Sequence, residues 1–360
     1  MPVLSKYLSG IFFLRFGTIL FGLTSFVLML EIAVFGSSII NSRPGGTWLL
    51  ARYAMLRMSG VIVSYTGLSA LLAALLTFME LSRNRELAVM WSAGMSGWRI
   101  FRALLPAMLL ACALSFVNEN FSAPPAAEKL SSWGAGVYSL SGKGSHSHAE
   151  APRWFRTGEL FFSVRHIMPG GRELSGVRVF RISSDGRLRN MITAATVRIS
   201  GGKWNFHEVS VYTPGSQHPR RVSSLAMDVD FDPALLPPPF MPLREMSITR
   251  LLKLSLAQPF GYASPGMLET WAQKRIADIF TIPLLVLLAL AMSHVFGLVR
   301  GAGHILFAGV SAGFIFFAAD AIFVSMGETG DLPPVAAAWM PSLILASVSA
   351  LLLWRSRAFN

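Results

Sequence analysis

The stretch MSGVIVSYTGLSALLAALLTFM, residues 58–79, contains no charged side chain. A run of about 20 apolar residues is long enough to cross the ~30 Å hydrocarbon core of a bilayer as an α-helix. The composition of the whole chain agrees with this, because 53% of its residues are hydrophobic and 14% are charged. Soluble proteins carry about 25% charged residues. Residues 58–79 therefore predict a membrane-spanning helix and not a helix in the core of a soluble domain.

Five further apolar stretches have the same character, although the first is interrupted by Arg15 and Glu31 and the third is short. A long, more polar insert separates the third from the fourth. The sequence predicts an α-helical integral membrane protein with six transmembrane helices (3+3), divided into residues 1–118, 119–270 and 271–360. The predicted spans are Ile11 to about Ile40, Met58–Met79, about Ile100 to Asn118, Ile279–Val299, Gly301–Gly327 and Leu332–Trp354.

Lysine and arginine are divided unevenly between the two sets of short loops. Cytoplasmic loops of membrane proteins carry an excess of these residues. The bias predicts that both termini are cytoplasmic and that the insert at 119–270 is exported. With the N-terminus inside, the cytoplasmic set is Lys6, Arg15, Arg83, Arg85, Arg99, Arg102, Arg300, Arg355 and Arg357, whereas the opposite short loops hold Arg43, Arg52 and Arg57.

The insert has the residue pattern of β structure. Glu159–Ile167, Leu174–Ser183 and Arg189–Ser200 are rich in Val, Ile, Phe and Thr and are bounded by turn-forming residues. Gly201-Gly202 lies between two strand-like runs and favours a two-residue hairpin. These features predict an all-β sandwich or open barrel. The insert has only a small basic excess and no arginine-rich stripe, so nucleic acid is not an expected partner.

Few residues in the chain suggest a metal or redox centre. His146 and His148 lie in the loop-like segment GKGSHSH, but no third ligand is evident near them. The sole cysteine, Cys112, falls in the third predicted span, so the exported insert has no internal disulfide. No metal site and no cofactor are expected in this chain.

The segment between the second and third spans, about residues 82–97, is predicted to be a short cytoplasmic helix. Arg83, Arg85 and Glu86 lie at its start, and Gly94 suits its end. Leu87, Met90 and Trp91 form one apolar stripe that we do not expect the chain itself to bury fully. The segment is interpreted either as a loop lying on the lipid surface or as a docking element for a cytoplasmic partner.

Two acidic residues lie inside the predicted spans, Glu31 in the first and Asp320 in the fifth. Carboxylates are costly in a membrane and often have a function there. Each is expected either to be hydrogen-bonded inside the helix bundle or to line a polar path. The sequence leaves both interpretations open.

Most catalytic patterns are absent. The sequence has no GxxxxGK[ST] phosphate loop, no HExxH pair and no CxxC pair. Gly94-Met95-Ser96-Gly97 matches the GxSG pattern of intramembrane serine proteases, but no histidine sits deep in a span to act as the base. The chain is therefore predicted to be non-catalytic, with an intramembrane protease and a membrane scaffold for the β domain as alternatives from other classes.

Several segments, in order along the chain, resemble the LptF/LptG (YjgP/YjgQ) family of lipopolysaccharide-export permeases. In the cytoplasmic segment, Glu86, Leu87, Met90 and Gly94 match the family pattern (S/R)EL-x-x-M-x-x-(A/S)-G. WAQK at 271–274, FGLVRG at 296–301 and Asp320 are more similar to LptG than to its paralogue LptF. The other similar segments are NENFSAPPAAE (118–128), WFRTGELFFSVRHI (154–167), TAATVRISGGKWNF (193–206), MSHVFGLVRG (292–301) and GFIFFAADAIF (313–323).

This resemblance implies a periplasmic β-jellyroll-like domain and a place in the inner membrane of a Gram-negative bacterium. It also implies an LptF–LptG heterodimer driven by an LptB ATPase dimer, which binds the ATP and Mg, with LptC-type and LptA-type jellyroll proteins. Such a complex extracts lipopolysaccharide and passes it along a periplasmic bridge. The segment 82–97 would then be the ATPase-coupling helix, with Arg83, Arg85, Glu86, Leu87, Met90, Trp91 and Gly94 as its contact residues.

An acylated, phosphorylated glycolipid needs an apolar route for its chains and basic groups for its phosphates. The first and fifth spans supply aromatic residues, and the outer loops supply arginines that can bind phosphate. The predicted lipid-path residues are Phe26, Glu31, Phe35, Arg43, Arg52, Arg57, Phe314, Phe317 and Asp320. Some members of the family carry a basic residue in the outer half of the first span, where this chain has Glu31 and no lysine.

Overall fold

A computed structural model describes most of the chain. The described residues are 2–42, 45–134, 136–140, 152–157, 159–168, 172–183, 187–200, 203–215, 219–229, 241–257, 264–296 and 302–355. Arg43, His146, His148, Gly201-Gly202, Arg300, Arg357 and most of the proline-rich segment 233–243 lie outside the described residues.

Among the described residues, six helices are long and apolar enough to cross a membrane, as the sequence predicts. They are α1 (Pro2–Ser42), α2 (Trp48–Arg83), α4 (Gly97–Val117), α8 (Pro265–Phe296), α9 (Ala302–Thr329) and α10 (Pro334–Arg355). Shorter helices are α3 (Glu86–Ser92), α5 (Ala123–Ser131), α6 (Val137–Leu140) and α7 (Ile248–Ala257).

Helical structure continues beyond the predicted end of the third span at Asn118. A π-helical turn, Asn118–Ser122, joins α4 to α5, so that one helical segment runs from Gly97 to Ser131. Proline is tolerated in the first turn of a helix, where its missing N–H has no intrahelical partner. Pro124 and Pro125 occupy that position in α5 and therefore do not end the helical segment.

Helix α8 lies at the centre of the membrane-helix bundle. Its buried residues Leu285, Val286 and Leu288 pack in one cluster with side chains of α2 and α4. Helix α9 approaches α2 closely because it has glycines at the contact: a Cβ atom on Gly309 or Gly313 would overlap the side chain of Leu75 or Leu71. The small residues of the fifth span thus make a helix contact within the chain.

Helix α1 packs less tightly than the other membrane-length helices, since only 11% of its most apolar window is buried. Leu8, Phe12 and Phe16 anchor its beginning in the bundle, and Ile39 anchors its end. The residues between them include exposed apolar side chains such as Phe21 and Met29. The middle of α1 therefore presents an apolar surface that the chain does not cover.

The insert forms one antiparallel sheet in which consecutive strands are neighbours, in the order β1-β2-β3-β4-β5-β6. Ser200 pairs with Lys203 at the β4–β5 connection, as a two-residue hairpin requires. The strands are β1 (Arg153–Thr157), β2 (Leu160–Ile167), β3 (Glu173–Ile182), β4 (Leu188–Ser200), β5 (Lys203–Tyr212) and β6 (Arg220–Asp228).

The core of the sheet extends into the helices that follow it. Phe162, Trp204 and Phe206 are fully buried on one face of the sheet. The same cluster includes Leu251 and Leu254 of α7. Leu268 and Ala272, at the start of α8, also belong to it. The sheet and the beginning of a membrane-length helix therefore share one hydrophobic core.

Candidate functional sites on the two sides of the helix bundle

The first site is helix α3, which is joined to the end of α2 by a tight two-residue link. Arg85 has φ +60°, a left-handed conformation that is uncommon for a residue other than glycine, and this conformation turns the chain between the helices. Glu86 begins α3, where a carboxylate interacts favourably with the positive end of the helix dipole. Gly94, with φ +74°, follows the end of the helix, and its N–H donates to the carbonyl of Trp91.

The apolar stripe of α3 faces the chain's own helix bundle. Leu87 and Met90 are buried in the cluster that contains α8, and the Trp91 ring lies 4.4 Å from the ring of His294, at the end of α8. The expectation that the chain would not bury this stripe fully was therefore wrong for Leu87 and Met90, whereas Trp91 is half-buried. Periodicity reveals that a helix has an apolar face, but not which surface covers that face.

The opposite face of α3 is open. Val89 is 65% exposed, and Ala88, Arg83 and Arg85 are also exposed. Glu86 is half-buried, and the Tyr7 hydroxyl donates a hydrogen bond to it over 3.2 Å. Helix α3 is thus fixed to the bundle by one face and offers a small apolar and basic surface on the other.

The second site is a buried cluster of charges near the other end of α2. The Arg57 guanidinium lies between two carboxylates, with Nε 3.0 Å from an oxygen of Glu31 and Nη1 3.0 Å from an oxygen of Glu245. Tyr53 donates to Glu31 over 3.1 Å, and Tyr138 donates to Glu245. This Arg57 cluster joins α1, α2, α6 and the 3₁₀ turn Leu243–Glu245.

Burial and the adjacent Glu245 carboxylate both raise the pKa of Tyr138. Its hydroxyl therefore remains protonated and available as a donor at neutral pH. The pairing of Glu31 agrees with one of the two interpretations left open, that of a carboxylate hydrogen-bonded inside the bundle. Sequence reasoning missed Tyr53, Tyr138 and Glu245, because they reach the cluster from distant parts of the chain.

The three arginines expected to bind lipid phosphate are in different surroundings. Arg57 is 7% exposed and already paired with two carboxylates, so its expected role as a free phosphate ligand does not fit the structure. Arg52 is exposed, with its guanidinium carbon 5.5 Å from the centre of the Trp133 ring. Arg43 lies outside the described residues. Of the two described arginines, Arg52 is the one that is accessible to a phosphate.

The third site is a cavity of about 570 Å³ between α2, α8 and α9. We call it the outer cavity, and Asp320 is one of the residues that line it. Asp320 is paired with Lys274, whose Nζ atom lies 2.7 Å from Asp320 and 2.6 Å from Asp278. Beside them, Arg275 forms an ion pair with Glu119. These charges are buried in pairs or triplets, as expected for ionised groups at membrane depth.

The aromatic residues predicted for the lipid path also differ in their surroundings. Phe317 lines the outer cavity. Phe314 and Phe26 point away from the bundle, at 75% and 58% exposure. Phe35 packs beside Ile39 in a cluster at the end of α1. The structure therefore brings Phe317 and Asp320 together but does not join them to Phe26, Phe35 or Phe314. Glu245 also lines the cavity and connects it to the predicted residues Arg57 and Glu31.

The GxSG segment gains no support as a protease site. Ser96 is the residue that precedes α4, where its side chain forms no capping hydrogen bond, and no histidine is seen bonded to it within the described part of the chain. His294 instead lies against Trp91. Among the described residues there is also no group of three potential metal ligands.

The comparisons with known proteins agree with the resemblance seen in the sequence. The family model described as "Lipopolysaccharide export system permease LptF/LptG" matches residues 6–355. The lipopolysaccharide export system permease protein LptG of Escherichia coli K12 is 23% identical over 310 residues, which is 84% of each chain. The protein of the same name from Escherichia coli O6:H1 matches with the same identity and coverage.

Proposed function

Because the chain belongs to the LptF/LptG family of lipopolysaccharide export permeases, we propose that it is the LptG-type membrane subunit of an ABC transporter that extracts lipopolysaccharide from the inner membrane. It would pair with an LptF-type paralogue and be driven by an LptB-type ATPase dimer. The ATPase would bind the ATP and Mg, and this chain would carry no catalytic group. The similarity to two proteins named LptG favours this subunit over its paralogue.

The observation that carries the proposal is the arrangement of α3. Leu87 and Met90 fix the helix to the bundle, whereas Val89, Arg83 and Arg85 remain accessible at the end of α2. A short helix seated in this way can bind in a groove of a cytoplasmic partner. It can also transmit the partner's movement, because its other face contacts the buried cluster around α8.

The remaining parts of the chain have roles in the same proposal. Both termini would be cytoplasmic, with three spans on each side of a periplasmic domain. The antiparallel sheet would form a jellyroll-like domain that passes the lipid to LptC-type and LptA-type proteins. Phe26, Phe314 and Phe317 would contact the acyl chains, and Arg52 would contact phosphate, in a route shared with the paralogous subunit.

The charge of Glu86 provides a test of ATPase coupling. Glu86→Lys should lower ATPase association or transport-coupled hydrolysis at least several-fold, because it places a positive charge at the open edge of α3. The same change removes the hydrogen bond from Tyr7, so Tyr7→Phe is the matched control. Tyr7→Phe removes that bond but leaves the carboxylate, and it should keep nearly normal coupling.

The measurements are affinity purification from membranes and ATP hydrolysis by the purified complex. Wild-type protein should copurify with an ATPase and with a second six-span subunit, and the identity of that subunit distinguishes an LptG role from an LptF role. Normal export in cells that carry only Glu86→Lys would reject a central role for this residue. Equal losses in Tyr7→Phe and Glu86→Lys would assign the effect to the seating of α3 and not to a partner contact.

A further inference from the structure

The outer cavity contains more acidic than basic groups, in a chain with a net charge of +12. Five carboxylates and three basic side chains line it. Cavities of 300–1,000 Å³ are typical of small-molecule sites, and its volume of about 570 Å³ falls in this range. The carboxylates are Glu119, Glu245, Asp278, Asp320 and Glu328, and the basic residues are Arg244, Lys274 and Arg275.

The ion pairs inside the outer cavity leave hydrogen-bond acceptors unused. Lys274 binds one oxygen of Asp278 and one oxygen of Asp320. Among the described residues, no side chain donates to the second oxygen of either carboxylate. One ammonium group is thus shared by two carboxylates. The group formed by Lys274, Asp278 and Asp320 retains a net negative charge, which a second cation with N–H donors would neutralise.

A separate observation shows that the wall of the outer cavity is not satisfied by the chain itself. Thr281 lines the cavity and is 8% exposed, yet its hydroxyl has no hydrogen-bond partner in the described structure. Buried polar groups are nearly always hydrogen-bonded, to protein, water or ligand. A polar group within the cavity, close to Asp278, would supply the missing partner.

Arg244 gives the outer cavity a binding group of opposite sign. Its side chain is exposed, and within the described ranges it forms no ion pair with a carboxylate. Its backbone carbonyl accepts a hydrogen bond from Arg275. A guanidinium binds phosphate with strong, often bidentate, charge-assisted hydrogen bonds. The outer cavity therefore offers separate positions for a cation and for a phosphate.

The opening of the outer cavity suits a molecule that arrives from the bilayer. Besides Arg244, its exposed lining residues are Ser64 on α2 and Ala321 and Ser325 on α9, so it also opens sideways between two membrane-length helices. Phe316 and Phe317 add an apolar wall. A ligand with a zwitterionic head group and acyl chains matches both the charges and the opening.

We propose that the outer cavity binds the head group of a lipid that carries both a phosphate and a primary ammonium, as phosphatidylethanolamine does. The ammonium donates to Asp278, Asp320 and the Thr281 hydroxyl, and the phosphate accepts from Arg244. Lipids with a trimethylammonium group have no N–H to donate, and lipids without an amine cannot neutralise the carboxylates. The site shares Phe317 with the proposed export route, and the same head-group chemistry could be carried by a bilayer phospholipid or by an exported glycolipid.

The test is native mass spectrometry of the full-length protein, with the subunits that copurify, in detergent. Short-chain phosphatidylethanolamine, phosphatidylglycerol and phosphatidylcholine are each added at equal concentration. Phosphatidylethanolamine should be retained at least fivefold more than the other two. Arg244→Gln and Asp278→Asn should each remove this preference, and Arg244→Gln is the more secure variant because its side chain is exposed.

Two exposed residues outside the lining of the cavity supply matched controls. Arg355→Gln and Asp331→Asn make the same changes of charge and should leave the preference intact. Equal retention of the three lipids, or an undiminished preference in Arg244→Gln, would overturn the proposal. A photocrosslinker at Ala321 identifies the source: a crosslinked phospholipid supports a bilayer lipid, whereas a crosslinked glycolipid would reject the bilayer lipid and place the cavity on the export route.

Discussion

In the Arg57 cluster, we expect removal of the arginine to destabilise the protein more than removal of one of its carboxylate partners. Arg57→Gln leaves the carboxylates of Glu31 and Glu245 facing each other without a cation, and their side chains are only 13% and 9% exposed. Removing one partner of a buried ion pair typically costs about 3–5 kcal/mol, because an uncompensated charge stays buried. We expect Arg57→Gln to lower the free energy of unfolding by about that amount.

The single carboxylate changes should cost much less. Glu31→Gln leaves Arg57 paired one-to-one with Glu245, and the Gln carbonyl can still accept from Tyr53 and from the guanidinium. The loss is that of one charged hydrogen bond, at most about 1.5–3 kcal/mol. Arg52→Gln is the matched control, since Arg52 is exposed and on the same helix, and it should change stability by under ~1 kcal/mol.

A triple variant distinguishes buried charge from lost packing. Arg57→Gln combined with Glu31→Gln and Glu245→Gln removes the unpaired carboxylates, so it should be more stable than Arg57→Gln alone. The measurement is denaturant or thermal unfolding of the purified full-length protein in detergent, followed by intrinsic fluorescence. If the triple variant is no more stable than the single one, the cost does not arise from buried carboxylates and the electrostatic explanation is refuted.

Three other predictions concern topology, a close backbone contact and lipid binding. In a Cys112→Ser background, a cysteine at Gly144 should be labelled from the periplasm and one at Arg357 should not; labelling of the second from outside would contradict the proposed orientation. Gly136→Ala should destabilise the protein more than Gly134→Ala in the same unfolding assay. Both glycines have positive φ, but only at Gly136 would a Cβ meet the Tyr53 ring, at 2.5 Å from its hydroxyl; equal costs would show that the contact is unimportant. Arg52→Gln should weaken photocrosslinking of lipopolysaccharide from α1 while the complex remains assembled, and unchanged crosslinking would mean that Arg52 contacts only the membrane surface.

The membrane helices and the strands could be predicted from the sequence because each depends on local composition. Residues 58–79 lie within α2, and the predicted strand Leu174–Ser183 corresponds to β3. Boundaries were less predictable at Asn118, where a π turn continues the helix. Hydrophobicity falls at Asn118, which correctly indicates the end of the apolar run. The helical hydrogen bonding nevertheless continues past this residue.

The candidate sites were only partly predictable, because they depend on contacts between distant residues. Arg57 and Glu245 are 188 positions apart, and nothing in the neighbourhood of either residue indicates the pairing. Lys274 and Asp278 had a recognisable signal, since opposite charges four residues apart share a helix face at the head of an apolar run. Asp320 lies 46 positions from Lys274, so the spacing that relates Lys274 to Asp278 does not identify Asp320 as its second partner.

The hydrophobic core shared by the sheet and α8 has a consequence for how the protein is made. A ribosome completes all six strands by Asp228, but Leu268 and Ala272 are synthesised only afterwards, at the start of a membrane-length helix. During synthesis the buried face of the sheet therefore lacks part of its cover until that helix emerges. Insertion of the fourth span and completion of the β core therefore become a single step in biogenesis. A fragment that stops before residue 264 would leave the apolar face of the sheet exposed where Leu268 and Ala272 normally cover it.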